Sequence, residues 1–211
     1  MKYDLRSMNK SKNNIKAVVF DVGGVLIEKP WNNMMNYFAK TLHVNTRNFE
    51  SILNEVYRDY EINHISEEAV WKHITSRYAL KQKPKTGLWL KGVSSVFRDN
   101  KNIVSLTQTL KKSGYQLAIL SNTEQPTAFY LEKRFSHFDA LIFSCRIGIA
   151  KPHKGIYEYT LTKLGRFPHE VVFIDDKKEN IEAAKTVGIH TIQYTSHEAF
   201  LKEFSHYVNL R

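Results

Sequence analysis

Lys16-Ala17-Val18-Val19-Phe20-Asp21-Val22-Gly23-Gly24-Val25-Leu26 decides the fold. Four apolar residues in a row read as a strand buried on both faces, the pattern of a parallel sheet rather than of a half-solvated hairpin. The strand delivers one carboxylate, Asp21, into a glycine turn. In an open parallel sheet, ligands bind beyond the carboxyl ends of the strands, so an acid at this point faces a crevice. Two later runs end the same way. Gln116-Leu117-Ala118-Ile119-Leu120 stops at Ser121-Asn122, and Val171-Val172-Phe173-Ile174 stops at Asp175-Asp176.

Around these runs the pattern alternates strand and helix. A helix through Ile103, Leu106 and Leu110 should end at Gly114 in a left-handed cap. Then come strand Tyr115 to Leu120, a helix near Thr127 to Phe135, strand Ala140 to Phe143 and helix Gly155 to Leu164. Strand Val171 to Ile174, helix Lys178 to Val187 closed by Gly188, and strand Ile189 to Gln193 complete the series. Such a succession predicts an α/β fold, a doubly wound parallel sheet with helices on both faces. Between the first strand and this series, Trp31, Met34, Met35, Phe38 and Leu42 recur at helical spacing, as do Phe49, Ile52, Leu53 and Val56. Ser66 followed by Glu67 and Glu68 predicts the N-terminus of a third helix. The expected organisation is a basic N-terminal extension at 1–14, a core at 15–29 and 96–211, and an all-α cap at 30–95, whose aromatic residues pack its interior.

Composition narrows the function. The 211 residues carry 31 Lys and Arg against 21 Asp and Glu, a net charge of +10. The basic residues form short groups rather than one block, which favours steering of a small anionic substrate over nucleic-acid binding. No apolar run reaches the length of a membrane span, and the polar start lacks the apolar segment of a secretory signal. With a single cysteine, Cys145, the expected location is cytoplasmic, with no membrane partner. The nine histidines show no i, i+4 pair and no cysteine neighbour, so zinc is not expected.

Asp21, Ser121, Lys151 in Ala150-Lys151-Pro152, and the pair Asp175-Asp176, in that order, resemble the four signature motifs of the haloacid dehalogenase-like (HAD) superfamily. The resemblance runs from about Lys16 to His197. It implies a Rossmann-like core with a helical cap inserted after the first strand, and a Mg²⁺-dependent phosphatase acting through an aspartyl phosphate on Asp21. It further implies a metal held by Asp21, Asp176 and the Gly23 carbonyl. Ser121 and the Asn122 backbone N–H would bind phosphoryl oxygens, and Lys151 would offset their charge. Asp175 is placed as a lysine partner and Asn180 as a loop support.

The departure is Gly23, where most HAD phosphatases carry a second Asp that protonates the leaving group. General acid–base assistance is worth roughly 10²–10⁴-fold. A branch with glycine here, similar to the Phe20-to-Val25 run, includes bacterial glucose-1-phosphate phosphatases, so the resemblance implies a sugar phosphate as substrate. Glu28, Asp59 and Glu61 are candidates for the missing acid, beside substrate and water alone. Two alternatives stand beside the phosphatase: a haloacid dehalogenase-type hydrolase, and a non-catalytic phosphate-binding or interaction protein. A monomer or a homodimer is expected.

Overall fold

A computed structural model describes residues 14–80, 84 and 87–208. The basic extension expected at 1–14 lies, apart from Asn14, outside these residues. Five strands, β1 (Ala17–Phe20), β2 (Gln116–Ser121), β3 (Ala140–Phe143), β4 (Val171–Asp175) and β5 (His190–Gln193), form one sheet in the order β3-β2-β1-β4-β5. All four pairings are parallel. This is the α/β architecture the alternating pattern predicts.

Side chains alternate across the strands with period two. Val18, Phe20, Leu117, Ile119, Val172 and Ile174 enter the core on one face of the sheet, while Val19, Leu120, Val171 and Phe173 enter that on the other. β1 is central and fully buried. Its register aligns Phe20 with Ile119 of β2 and Ile174 of β4. The residues just beyond, Asp21, Leu120-Ser121 and Asp175-Asp176, therefore emerge side by side. The chain builds β2 and β3 on one side of β1 and then crosses to β4 and β5 on the other. The crevice at β1 is thus a topological switch point.

Among the described residues, four helices, α1 (Trp31–Leu42), α2 (Thr46–Glu61), α3 (Glu67–Arg77) and α4 (Leu88–Val96), fall between β1 and the helix that precedes β2, α5 (Lys101–Lys112). Ser66 caps α3 as its sequence predicts, accepting from the Ala69 N–H at 3.2 Å. α4 has no counterpart in the sequence reading. It carries Trp89, fully buried, whose ring lies 5.0 Å from those of Phe38 and Tyr60 and 5.9 Å from Trp71. Such aromatic pairs contribute about 0.5–1.5 kcal/mol each beyond the area they bury.

The rest of the chain wraps the sheet with α6 (Gln125–Arg134), the short α7 (Ser144–Ile147), α8 (Lys154–Leu164), α9 (Lys178–Thr186) and α10 (His197–Phe204). Gly114 and Gly188 follow α5 and α9 at φ +86° and +83°, the left-handed stops expected of them. Cys145 is buried, and burial pushes its thiol up to about 12. Among the described residues, no helix is long and apolar enough to cross a membrane.

Candidate active site

The four motifs meet at the carboxyl ends of β1, β2 and β4. Lys151 is their hub. Its ammonium is buried and donates to Asp21 Oδ1 at 2.7 Å, to Asp175 Oδ2 at 2.6 Å and to the Leu120 carbonyl at 2.9 Å. The two carboxylates hold Lys151 above the usual lysine range despite the opposing cost of its burial. A buried charge of this kind is tolerated only when paired and fully hydrogen-bonded.

Asp175 is saturated. Besides Lys151, it accepts from Asn180 Nδ2 at 3.0 and 2.9 Å and from the Lys177 N–H at 2.8 Å. This geometry suits the partner of a lysine rather than a group with free lone pairs. Asp176, the next residue, is the reverse. Its Oδ1 is buried with no hydrogen-bond partner, and its Oδ2 is 3.6 Å from Lys29 Nζ. Asp21, Asp175 and Asp176 each offer a carboxylate oxygen within 4.8 Å of the others. Burial pushes Asp21 up to about 6, opposed by Lys151 and reinforced by Asp175. Asp176 is likewise raised, by burial and then by Asp175.

An orphaned buried oxygen beside a second carboxylate fits a divalent cation. Mg²⁺ takes one or two carboxylates and leaves its other positions to waters and substrate. Asp175, already saturated, is the least suited of the three. Gly24 keeps the place open. It sits at φ +88°, and a Cβ there would lie 2.5 Å from Asp176 Oδ2. The glycine turn itself closes through the Gly24 N–H on the Ile27 carbonyl and the Ile27 N–H on the Val22 carbonyl. Gly23 faces the cavity, and a Cβ on it would meet only Pro30 Cδ at 3.9 Å. No steric demand accounts for glycine at that position.

Ser121 and Asn122 also line the cavity. The Asn122 side chain bridges to Lys151, accepting from its N–H at 2.7 Å and donating to its carbonyl at 2.9 Å. It therefore fixes the lysine loop, a role the motif alone did not reveal. Of the three acids considered for the missing position, only Glu61 lines the cavity; Glu28 and Asp59 are exposed. Glu61 ends α2 and is 8% exposed. Ser144 Oγ donates to its backbone carbonyl at 2.6 Å, and Arg58 pairs with its carboxylate at 2.6 Å. Burial raises its pKa above the ordinary carboxylate value, against the pull of Arg58.

The cavity, about 610 Å³, extends from this centre to α1, α2 and α6. Sequence reasoning missed Glu124 here. Buried at the N-cap of α6, it accepts from Tyr57 OH at 3.0 Å, from Trp89 Nε1 and from Thr127 Oγ1, tying α2 and α4 to the sheet. An acid three residues after Ser121, at the mouth of a helix, was the available signal.

A parallel α/β protein with a carboxylate–lysine centre at its switch point is the class that fold and site define. The chain belongs to the haloacid dehalogenase-like hydrolase family, whose model matches residues 15–188. It is a hydrolase of that family. Over 85% of its length it is 26% identical to a sesquiterpene phosphatase of Aspergillus oryzae, covering 90% of that protein. It is 27% identical to the mouse acyl-CoA dehydrogenase family member 10 but spans only 20% of that relative. A phosphorylated carbohydrates phosphatase of Thermotoga maritima is 29% identical over 49% of the chain and 50% of its own length. Among solved structures, a HAD family enzyme of Bacteroides thetaiotaomicron, in complex with magnesium and inorganic phosphate, superposes with a TM-score of 0.76. It is 22% identical, over 90% of this chain and 99% of that one.

Proposed function

We propose that the protein is a Mg²⁺-dependent phosphatase that hydrolyses a small phosphorylated metabolite through an aspartyl phosphate on Asp21. The observation that carries this reading is the unpartnered Asp176 Oδ1 beside Asp21, opposite the buried Lys151. Asp21, Asp176 and the Gly23 carbonyl would hold Mg²⁺, which supplies the charge neutralisation that lets one anion attack another.

An Asp21 carboxylate oxygen attacks phosphorus and the ester P–O bond breaks. The departing alcohol oxygen takes its proton from the Glu61 carboxyl. Water then attacks the phosphorus of the aspartyl phosphate and gives a proton to the Glu61 carboxylate. The bond to Asp21 breaks, and phosphate and the original carboxylate are restored. Ser121 and the Asn122 N–H orient the phosphoryl oxygens, and Lys151 stabilises their charge. Asp175 and Asn180 hold Lys151 and the loop after β4 in place.

The resemblance of the motifs favours a sugar phosphate, and the Thermotoga relative is named for phosphorylated carbohydrates. The longer match is to a phosphatase of a terpenoid. A dehalogenase would have little use for the unpartnered buried Oδ1 of Asp176. A purely binding module would be opposed by the Asp21 charge facing its own phosphate ligand. The test is hydrolysis of aryl and alkyl phosphates with and without Mg²⁺. Asp21→Asn should lose turnover by several orders of magnitude, and Mg²⁺ should be required. Glu61→Gln should slow the alkyl ester, whose alcohol leaves poorly, far more than the aryl ester. Turnover by Asp21→Asn, or without any divalent metal, would refute the reading.

A further inference from the structure

We infer that the ester this site accepts is the monophosphate of an apolar alcohol, and that the wall opposite Asp21 selects it by hydrocarbon contact. The inference rests on the phosphatase reading and concerns the leaving group. Away from the carboxylate–lysine floor, the cavity is lined by Trp31 and Met34 of α1, Tyr57 of α2, Phe97, and Leu131 of α6. Met34, Phe97 and Leu131 are 4%, 7% and 0% exposed, so the wall is continuous with the core.

Most polar side-chain atoms in this wall already have partners within the protein. Tyr57 OH and Thr127 Oγ1 donate to Glu124, which also receives Trp89 Nε1. Trp31 Nε1 donates to Glu50 Oε1 at 2.6 Å. Trp31 and Tyr57 pack edge to face, their ring centroids 4.8 Å apart. Arg58 is occupied by Glu61 at 2.6 Å and reaches the Lys151 carbonyl at 3.4 Å. The remaining charged groups, Lys29, which lies 3.6 Å from Asp176 Oδ2, Lys177 and Glu179, are exposed residues of the rim.

A sugar presents hydroxyls on every side. Each one buried against this wall without a partner would weaken binding by roughly tenfold to a hundredfold. A hydrocarbon body meets no such penalty and gains about fourfold for each methylene removed from water. A cavity of about 610 Å³ has room for a body larger than a short polyol.

The experiment measures kcat/KM with Mg²⁺ for n-alkyl monophosphates of increasing length, a prenyl monophosphate and a panel of sugar monophosphates. In parallel, calorimetry follows binding of n-alkylphosphonates, which cannot be hydrolysed at the P–C bond. The expected result is a rise of about fourfold per methylene over the first several carbons in both series, with alkyl and prenyl esters ahead of every sugar phosphate. Trp31→Ser should flatten both slopes. If no ester is hydrolysed, the phosphatase reading fails, and the phosphonate series alone decides the character of the wall. A flat phosphonate series, or sugar phosphates turned over faster than alkyl esters, would overturn the inference.

Discussion

Asp176 and Asp175 are adjacent in sequence and opposite in circumstance. Asp175 spends its lone pairs on Lys151, Asn180 and the Lys177 N–H, whereas Asp176 keeps one buried oxygen unpaired. Burial also holds Asp21, Glu61, Glu124 and Asp176 above the ordinary carboxylate range. The folded, metal-free protein therefore binds more protons than the unfolded chain between about pH 4 and the raised folded values. These groups make stability fall as pH rises through that window. A cation on Asp21 and Asp176 requires both ionised. The thermal stabilisation given by Mg²⁺ should accordingly be small near about pH 5 and grow to a plateau above about pH 7. Differential scanning fluorimetry with and without Mg²⁺ reads it directly. Gly24→Ala, whose Cβ would press on Asp176 Oδ2, should remove most of that gain. An unchanged Mg²⁺ shift in Gly24→Ala would place the cation elsewhere.

At the scale of elements, the strands were the most legible part. A fully apolar run that ends at one polar residue leaves little choice of face or register, and the strand ends at Asp21, Ser121 and Asp175 meet as read. The helices between β1 and α5 were legible only by period. Trp31, Phe38 and Phe49 mark buried faces, but periodicity does not say which turn of α2 meets the crevice, so Tyr57 and Arg58 were read past. α4 escaped because Leu88-Trp89-Leu90-Lys91-Gly92-Val93 is short and contains a glycine, which counts against a helix. That glycine has a packing reason. A Cβ on Gly92 would lie 2.5 and 2.6 Å from atoms of the Phe38 ring, itself enclosed by Phe49, Trp71 and Trp89. Helix propensity would favour Gly92→Ala by about 1 kcal/mol. Overpacking an enclosed ring costs about 1–3 kcal/mol. The variant should be less stable in urea, and a more stable Gly92→Ala would show that α1 and α4 have room to separate.

For the molecule as a whole, composition and motifs located the chemistry but not the ester. A net charge of +10 suits the approach of an anion, and the motif order fixed which side chains surround it. The leaving group is decided by surfaces drawn from α1, α2 and α6, far apart in sequence, whose polar atoms are satisfied by partners that no motif records. Gly23 is a similar case. The sequence shows that an acid is missing, and only the fold brings Glu61 to the cavity from the end of α2.

In the proposed reaction Asp21 is the group that takes the phosphoryl. Borohydride reduction of the enzyme during turnover, followed by peptide mass spectrometry, tests this most directly, because an acyl phosphate is reduced to an alcohol while a free carboxylate is not. The predicted result is homoserine at position 21, formed only when both Mg²⁺ and a phosphate ester are present. Rapid turnover with Asp21 recovered unmodified, and the label at another acid or at none, would contradict it.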